Sequence, residues 1–334
     1  MTKVIEFSKS TRIAVIISVL LIIGGLVGTF VQGGFNFGID FQAGLSQRIQ
    51  INPNQTQVTI GQVRTSLANV AGVGAEVQVI GPPAEQQFTL RVRDTGAIDN
   101  FETVVAGEIL TALQSTFGSG VVTVLEQSFI GPRFSADLTT QAISLVVLAF
   151  SLILIYLWFR FRFAYAGAAI LALVHDVSFM IAFIGLFQLE ITSATIAAVL
   201  TIVGYSLNDT IVIFDRIREN EAVMGESKLK MIIDGSITQS LSRTFITSIT
   251  TLIAVLSIYV FTTGQIQDFA LALIVGIIVG TYSSIYIASP SFYTIVQALK
   301  KRAKNREAAA TAKKPGTKQV GSGKALAKKA GAKG

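Results

Sequence analysis

Predominantly apolar residues run for about the length of a bilayer in six places along the chain, at 13–30, 142–159, 163–187, 193–214, 244–261 and 269–287. About 20 such residues cross a hydrocarbon core of ~30 Å as a helix, so the pattern predicts six transmembrane helices. The first run follows Lys3, Lys9 and Arg12, as a signal peptide would. Its 18 residues exceed a signal core, however, and no Ala-x-Ala site closes it. A retained span after a short segment, 1–12, is therefore expected. Between the first and second runs the pattern changes. Within 31–137, residues 45–51 alternate with period two, and 59–70 read as a helix. Residues 76–80 and 87–92 read as strands around a Gly-Pro-Pro turn. The spacing of Phe101, Val104, Val105, Ile109, Leu110 and Leu113 predicts a helix over 100–116, and 121–129 is a last strand. The order β-α-β-β-α-β is that of ferredoxin-like, split-βαβ domains. The expected fold is thus a polytopic α-helical membrane protein with six transmembrane helices. An α+β ferredoxin-like (βαββαβ) extracytoplasmic domain lies between the first and second.

The remaining spans fill 138–290, interrupted by a mixed-charge loop at 215–242 whose 228–241 part reads as an amphipathic surface helix. The last span is expected to end near Pro290, ahead of a basic, largely disordered tail at 291–334. Gly24 with Gly28, and Gly276 with Gly280, form GxxxG pairs that permit close helix contact.

Composition agrees: of 334 residues, 51% are hydrophobic and 14% charged, with a mean hydropathy of +0.61, whereas soluble domains carry about 25% charged residues. There is no cysteine and one histidine, His175. Thiolate chemistry and multi-histidine metal sites are excluded, and no cofactor or metal is expected. The net charge of +7 is unevenly placed. From Lys300 onward 12 Lys/Arg face one acid, Glu307, so that stretch is +11 and the rest of the chain −4. Residues 31–137 hold no lysine, five arginines and nine acids, and Glu190 and Asp268 add two acids in short loops on the same side. Scarcity of Lys/Arg marks the outer side, which places both termini in the cytoplasm. The basic tail suits anionic lipid or the RNA surface of a ribosome; a solvated tail with no partner fits as well. Gly321-Ser322-Gly323-Lys324 lacks P-loop spacing, and Asn54-Gln55-Thr56 matches a glycosylation sequon by chance. The hydrophilic region holds no paired carboxylates, Ser/His arrangement or phosphate loop. It reads as a binding or mechanical module, and no catalytic residue is expected.

The candidate chemistry lies within the membrane. In the fourth run Asn208 and Asp209 appear while the chain is still apolar. An ionisable group there costs roughly 2.5–3.5 kcal/mol on the mildest scale and so faces protein or water. Thr201, Tyr205, Asn208, Asp209 and Val212 fall on one helix face. Arg243, at the entry of the next span, is the nearest candidate counter-charge. The pair reads either as a proton-titrating site or as a fixed ion pair. His175 and Asp176, midway along the third run, read as a proton relay or as a polar knot joining helices.

These segments resemble a known family. LTIVGYSLNDTIVIFDRIRE at 200–219 is similar to the fourth span of SecF proteins, which belong to the SecDF accessory complex of bacterial protein export. FGIDF at 37–41, LVHDV at 173–177, SLSRTFITSITT at 240–251 and DFALALIVGIIVGTYSSIYIASP at 268–290 resemble other segments of the family. Ala43-Gly44 stands where the family usually has Gly-Gly. The resemblance implies a resistance-nodulation-division-like arrangement in the bacterial cytoplasmic membrane, paired with SecD. It implies work with the SecYEG translocon, and with YajC, on an unfolded polypeptide in transit, driven by protons. By position Asp209 would be the proton-linked carboxylate and Arg243 the essential membrane arginine. Asn208, His175, Asp176, Tyr205 and Thr201 would support them. The rival expectations are a proton-driven small-molecule or lipid exporter of the same superfamily and a passive membrane-anchored scaffold or chaperone.

Overall fold

The computed structural model describes residues 4–312 except 54–56, 73 and 226–227. The sequon at Asn54, the Gly321–Lys324 stretch and the tail beyond Ala312 lie outside the described residues. The chain is mostly helical, with six helices long and apolar enough to cross a membrane and one small antiparallel sheet. In order the elements are α1 (Phe7–Val31), β1 (Gly44–Ile51), α2 (Ile60–Ser66), β2 (Glu76–Ile80), β3 (Gln87–Arg93), α3 (Phe101–Phe117) and β4 (Val122–Ile130). Then come α4 (Pro132–Arg160), α5 (Phe163–Leu186), α6 (Ser193–Met224), α7 (Leu229–Phe261), α8 (Gln265–Ser283), a π-turn (Ser284–Ala288) and α9 (Ser289–Ala312). Exposed aromatics bracket the bundle. Phe30, Phe187 and Phe261 end helices on the side of the sheet, and Trp158, Phe159 and Phe163 mark the opposite side. From Phe163 to Phe187 a helix rises about 36 Å, which fits a hydrocarbon core with part of its interfaces.

Several helix ends differ from the sequence expectation. α4 starts at Pro132, ten residues ahead of its apolar run, because Gly131-Pro132 supplies an N-terminal proline whose missing N–H costs nothing there. The expected loop at 215–242 is instead the ends of two long helices. α6 runs on to Met224, and α7 begins at Leu229 with Ile232, Ile233 and Ile237 buried, so 228–241 is packed into the bundle and does not lie on a surface. Pro290 does not end the last span. The turn widens to a π-turn just before it, Ser289 Oγ donates to Ser284 O at 3.0 Å, and helix continues through the basic residues to Ala312. Nor does Gly24 make the close contact of α1. Gly25 lies against Ala182 and Gly28 against Leu186 of α5, whereas Gly24 faces open space.

The sheet has the order β2-β3-β1-β4 with every neighbouring pair antiparallel. The period of two sends Leu45, Ile49, Phe88, Leu90 and Val92 to one face, where α2 and α3 cover them through Val63, Val105, Ile109 and Leu113. A capping box between Thr59 and Gln62 starts α2. The other face is polar and lies over the loops between membrane helices.

That junction is built from a short segment after α1. Gly38 N donates to Ile191 O at 2.9 Å, Ile191 N to Asn36 O at 2.8 Å, and Ser193 N to Asp40 Oδ2 at 2.7 Å. Asp40 thereby caps the start of α6. A Cβ at residue 38 would meet Glu190 Oε1 at 2.5 Å and Thr192 Cγ2 at 2.9 Å, so a larger residue there would push these side chains aside. Arg91, on the polar sheet face, donates to Glu190 at 2.9 Å, to Asn36 at 2.5 Å and to Gln78 at 3.1 Å. Arg48 reaches Thr263 at 3.2 Å. Between sheet and loops lies a cavity of about 170 Å³ lined by Arg48, Arg91, Glu126, Glu190 and Asp268, among others.

Burial pushes the Glu190 carboxyl above the usual range, against the pull of Arg91. The folded chain therefore holds a proton on Glu190 more tightly than the unfolded chain does. This group favours the docked state at low pH, and that contribution fades as pH rises through the raised value. Arg91→Met should loosen the junction at neutral pH and recover on acidification, because Glu190 can neutralise itself. Glu190→Gln leaves a guanidinium that cannot, and should cost on the order of 3 kcal/mol at any pH. Hydrogen exchange of residues 36–43 in the full-length protein reads both; failure of Arg91→Met to recover in acid would remove burial as the cause.

Candidate functional site

The site is assembled where α6 and α8 touch most closely. Gly276 packs on Ile202, and Gly280 faces Ser206 so closely that a Cβ would lie 2.8 Å from Ser206 Cβ. This brings the hydroxyls of Ser206 and Ser283 onto one buried carboxylate of α5. Asp176, with 0% exposure, accepts from Ser283 Oγ at 2.8 Å and, in a short contact, from Ser206 Oγ. His175 Nδ1 lies 2.9 Å from Asp176 Oδ1, and its Nε2 contacts Ser18 of α1. Adjacent in sequence, His175 and Asp176 bridge opposite directions, toward α1 and toward α6 and α8. Thr29 and Gly185 extend the α1–α5 contact toward the sheet side.

One turn along α6 from Ser206 is Asp209, 3% exposed, with Oδ2 buried and without a hydrogen-bond partner. It lies about 24 Å along the helix from Ser193 and about 9 Å from Asp215. The Thr281 hydroxyl and the charge of Arg243 both act on it. Arg243 itself is exposed, and no salt bridge joins it to Asp209 in this arrangement. Beside Arg243, Thr244 is 1% exposed with its Oγ1 also unpartnered. One turn further, Ser248 Oγ is 2.8 Å from Thr281 Oγ1.

The other stripe residues part company with Asp209. Thr201 and Asn208 are exposed, and Thr201 Oγ1 turns back to Ala197 O at 2.8 Å. Tyr205 and Val212 are half-buried; the Tyr205 hydroxyl is 3.5 Å from Thr251 Oγ1. A rotation of about 100° per residue suffices: Asp209 points into the bundle while Asn208 beside it points out.

Apolar layers flank the site on both sides. Toward the sheet, Ala198, Ile202, Val255, Leu273 and Ile277 pack together; away from it, Ile213, Phe214, Ile217 and Phe292 do. Beyond the second layer Arg160 ties α4 to α6 by contacts of 2.6 and 2.7 Å to the two oxygens of Asp215. Among the described residues no group of three His, Cys, Asp or Glu side chains could hold a metal ion. The sequence missed Ser18, Ser206, Ser248, Thr281 and Ser283. Serine and threonine in apolar helices commonly bond their own backbone, and the one usable signal was Ser283 three places after Gly280.

Residues 108–298 match the family described as protein export membrane protein SecD/SecF, C-terminal. The chain is 42% identical to the protein translocase subunit SecF of Borreliella burgdorferi, over 90% of this chain and 100% of that protein. It is 36% identical to that of Gemmatimonas aurantiaca, over 85% of each. The crystal structure of SecDF from Thermus thermophilus, described as a translocon-associated membrane protein, superposes with a TM-score of 0.75 at 35% identity. That match covers 90% of this chain and 39% of that one. Since the match takes in more than half of its length and these relatives align along most of theirs, the chain belongs to the SecD/SecF family of protein-export membrane proteins.

Proposed function

We propose that the chain couples proton movement through Asp209 to protein export, as a non-enzymatic subunit. As a multi-pass member of this family it serves protein translocation, and the small-molecule exporter alternative is not favoured. The observation that carries the proton reading is a buried carboxylate with one unpartnered oxygen in a spanning helix, between two apolar layers. Such a group is costly in a bilayer unless its charge state is used. Protonation would neutralise Asp209 and weaken its attraction to Arg243, biasing the packing of α6 against α7 and α8.

The remaining assignments follow from this one. The sheet order and element order support a ferredoxin-like domain, and the Lys/Arg distribution supports a cytoplasmic membrane location with this domain outside and both termini inside. Because Asp40 caps α6 and Glu190 holds Arg91, the domain rides on α6 and does not swing free of it. Exposed Asn208, Thr201 and Gly204 within the α6 span support a partner helix there, for which SecD is the expected source. Relatives that fuse the two, such as the SecDF of Thermus thermophilus, fit that pairing. SecYEG, YajC and the emerging unfolded polypeptide are the further partners. The helical part of α9 carrying Lys300, Lys301, Arg302, Lys304 and Arg306 offers positive charge to anionic lipid or ribosomal RNA.

Purification from membranes should bring a second six-span protein at 1:1. Arg243→Met should insert and assemble normally yet lose gradient-driven export. Normal export by that variant would reduce Arg243 to an anchor, and rescue of export by residues 31–137 alone would favour a scaffold.

A further inference from the structure

The hydrogen bonds around His175 and Asp176 form a closed set. Asp176 Oδ2 accepts from Ser283 Oγ of α8 at 2.8 Å and from Ser206 Oγ of α6, and its Oδ1 lies 2.9 Å from His175 Nδ1. His175 Nε2 meets Ser18 Oγ of α1. At the α6–α8 end, the further partners of the two hydroxyls among the described residues are each other, at 3.5 Å, and Gly280 O, at 3.1 Å from Ser283. Asp209 Oδ2, one turn along α6, takes no hydrogen bond from them. At the other end, Ser18 lines a groove of about 500 Å³ between α1, α5 and α8, whose walls include Ile13, Ile17, Leu21, Phe179 and Ile278. A proton handed to Ser18 would meet these apolar walls and not water. Asp176 is 0% exposed and the His175 side chain 8%. A buried polar network whose members are satisfied rigidifies what it joins, and this one joins four helices.

We propose that His175 and Asp176 are a clamp and not a proton relay. Asp176 is a positioning residue that gathers Ser206 and Ser283 at the Gly280 contact, one turn from Asp209. His175 orients the Asp176 carboxyl and fastens α1 to the same point through Ser18. This rests on the reading of Asp209 as the proton-coupling group. Tyr282 of α8 is the other titratable group facing the pair, with its ring 6.2 Å from that of His175. Its hydroxyl donates to Ala14 O at 2.6 Å, which fastens α1 one turn before Ser18.

A clamp needs shape and hydrogen bonds, whereas a relay needs a group that gains and loses a proton. Amide side chains tell the two apart. Asp176→Asn keeps an oxygen for the two serine hydroxyls, and His175→Asn keeps a nitrogen to face Asp176; neither amide titrates. The test uses inverted membrane vesicles carrying the full-length chain in its complex, with gradient-driven export measured against pH. Survival of the folded complex after heating in detergent is the second readout. Each Asn variant should keep export within about threefold and leave the pH profile in place, because the hydrogen-bonding groups remain. Asp176→Leu and His175→Leu leave buried partners unpaired, and should lower export about tenfold and shorten heat survival without moving the profile. Replacing Ser206 and Ser283 together by Ala should resemble Asp176→Leu.

Three results overturn the proposal. One is an Asn variant that assembles yet loses gradient-driven export as fully as Asp209→Asn. Another is an Asn variant whose pH profile moves by about one unit, as loss of a titrating group would cause. The third is equal heat survival in the Leu and Asn variants, since no clamp is then broken. Should the Leu variants fail to assemble, the Asn variants decide alone. Asp209→Asn separates the two claims. If that variant still responds to the gradient, the coupling reading falls, and heat survival of the Asn and Leu variants still tests the clamp.

Discussion

Asp209→Asn should abolish the part of export that depends on the proton gradient, leaving the rate seen when the gradient is collapsed, while the complex stays assembled. Asparagine keeps the shape of the carboxyl but cannot change charge, so the variant imitates the protonated state permanently. The size of the expected loss follows from what one charge can do. Crossing ~150 mV yields about 3.5 kcal/mol, whereas moving a two-state equilibrium from 1:99 to 99:1 needs about 5.5 kcal/mol. One proton shifts the populations substantially and two would drive the change outright, so removing the group removes the drive and not a fraction of it. Vesicles of this variant that respond normally to collapse of the gradient would show that the coupling group is elsewhere.

Gly280→Ala should be among the most damaging single-methyl changes in the bundle. The added Cβ would lie 2.8 Å from Ser206 Cβ and 3.3 Å from Ser206 Cα. These atoms cannot rotate away, so α6 and α8 must separate and Ser206 and Ser283 must leave Asp176. Overpacking of this kind typically costs about 1–3 kcal/mol. Gly276→Ala meets only side-chain atoms of Ile202, so Ile202→Ala should rescue it, whereas Ser206→Ala should not rescue Gly280→Ala. Survival of the folded complex after heating in detergent measures both pairs. Equal rescue in the two would mean that the contact yields more easily than its backbone part implies.

The apolar runs and the period-two segments made the helices and strands legible, because each element buries its face by the same rule that writes the pattern. The helix ends were not. Residues 132–141, 215–224 and 229–242 are helical but polar on one side, and hydropathy alone does not separate such helix from loop. Asp209 stood out as a charge in an apolar setting, and the structure buries it as expected. Its relation to Arg243 did not follow from sequence, since the distance between two helices at one level depends on packing against a third. Asn208 and Thr201 were grouped with Asp209 because a stripe drawn over twelve residues ignores how narrow the buried sector of a three-helix contact is. The hydroxyl partners of Asp176 were invisible for a different reason: Ser206 and Ser283 sit on α6 and α8, and Ser18, the partner of His175, sits on α1, so nothing local joins them to α5.

The π-turn before Pro290 has a consequence for phase. A π-turn takes up one residue more than an α-helical turn, which offsets everything after it by about 100° around the axis. Gly280 and Ser283 precede it and face α6; Phe292 follows it and stacks on Tyr165 of α5 with ring centroids 4.1 Å apart. Rotationally, the last span is therefore two helices sharing one axis, out of phase with one another by about one residue. Deleting one residue from Ser284–Ala288 would keep the helix intact yet turn Phe292 away from Tyr165, so the span tolerates changes of side chain there better than changes of length.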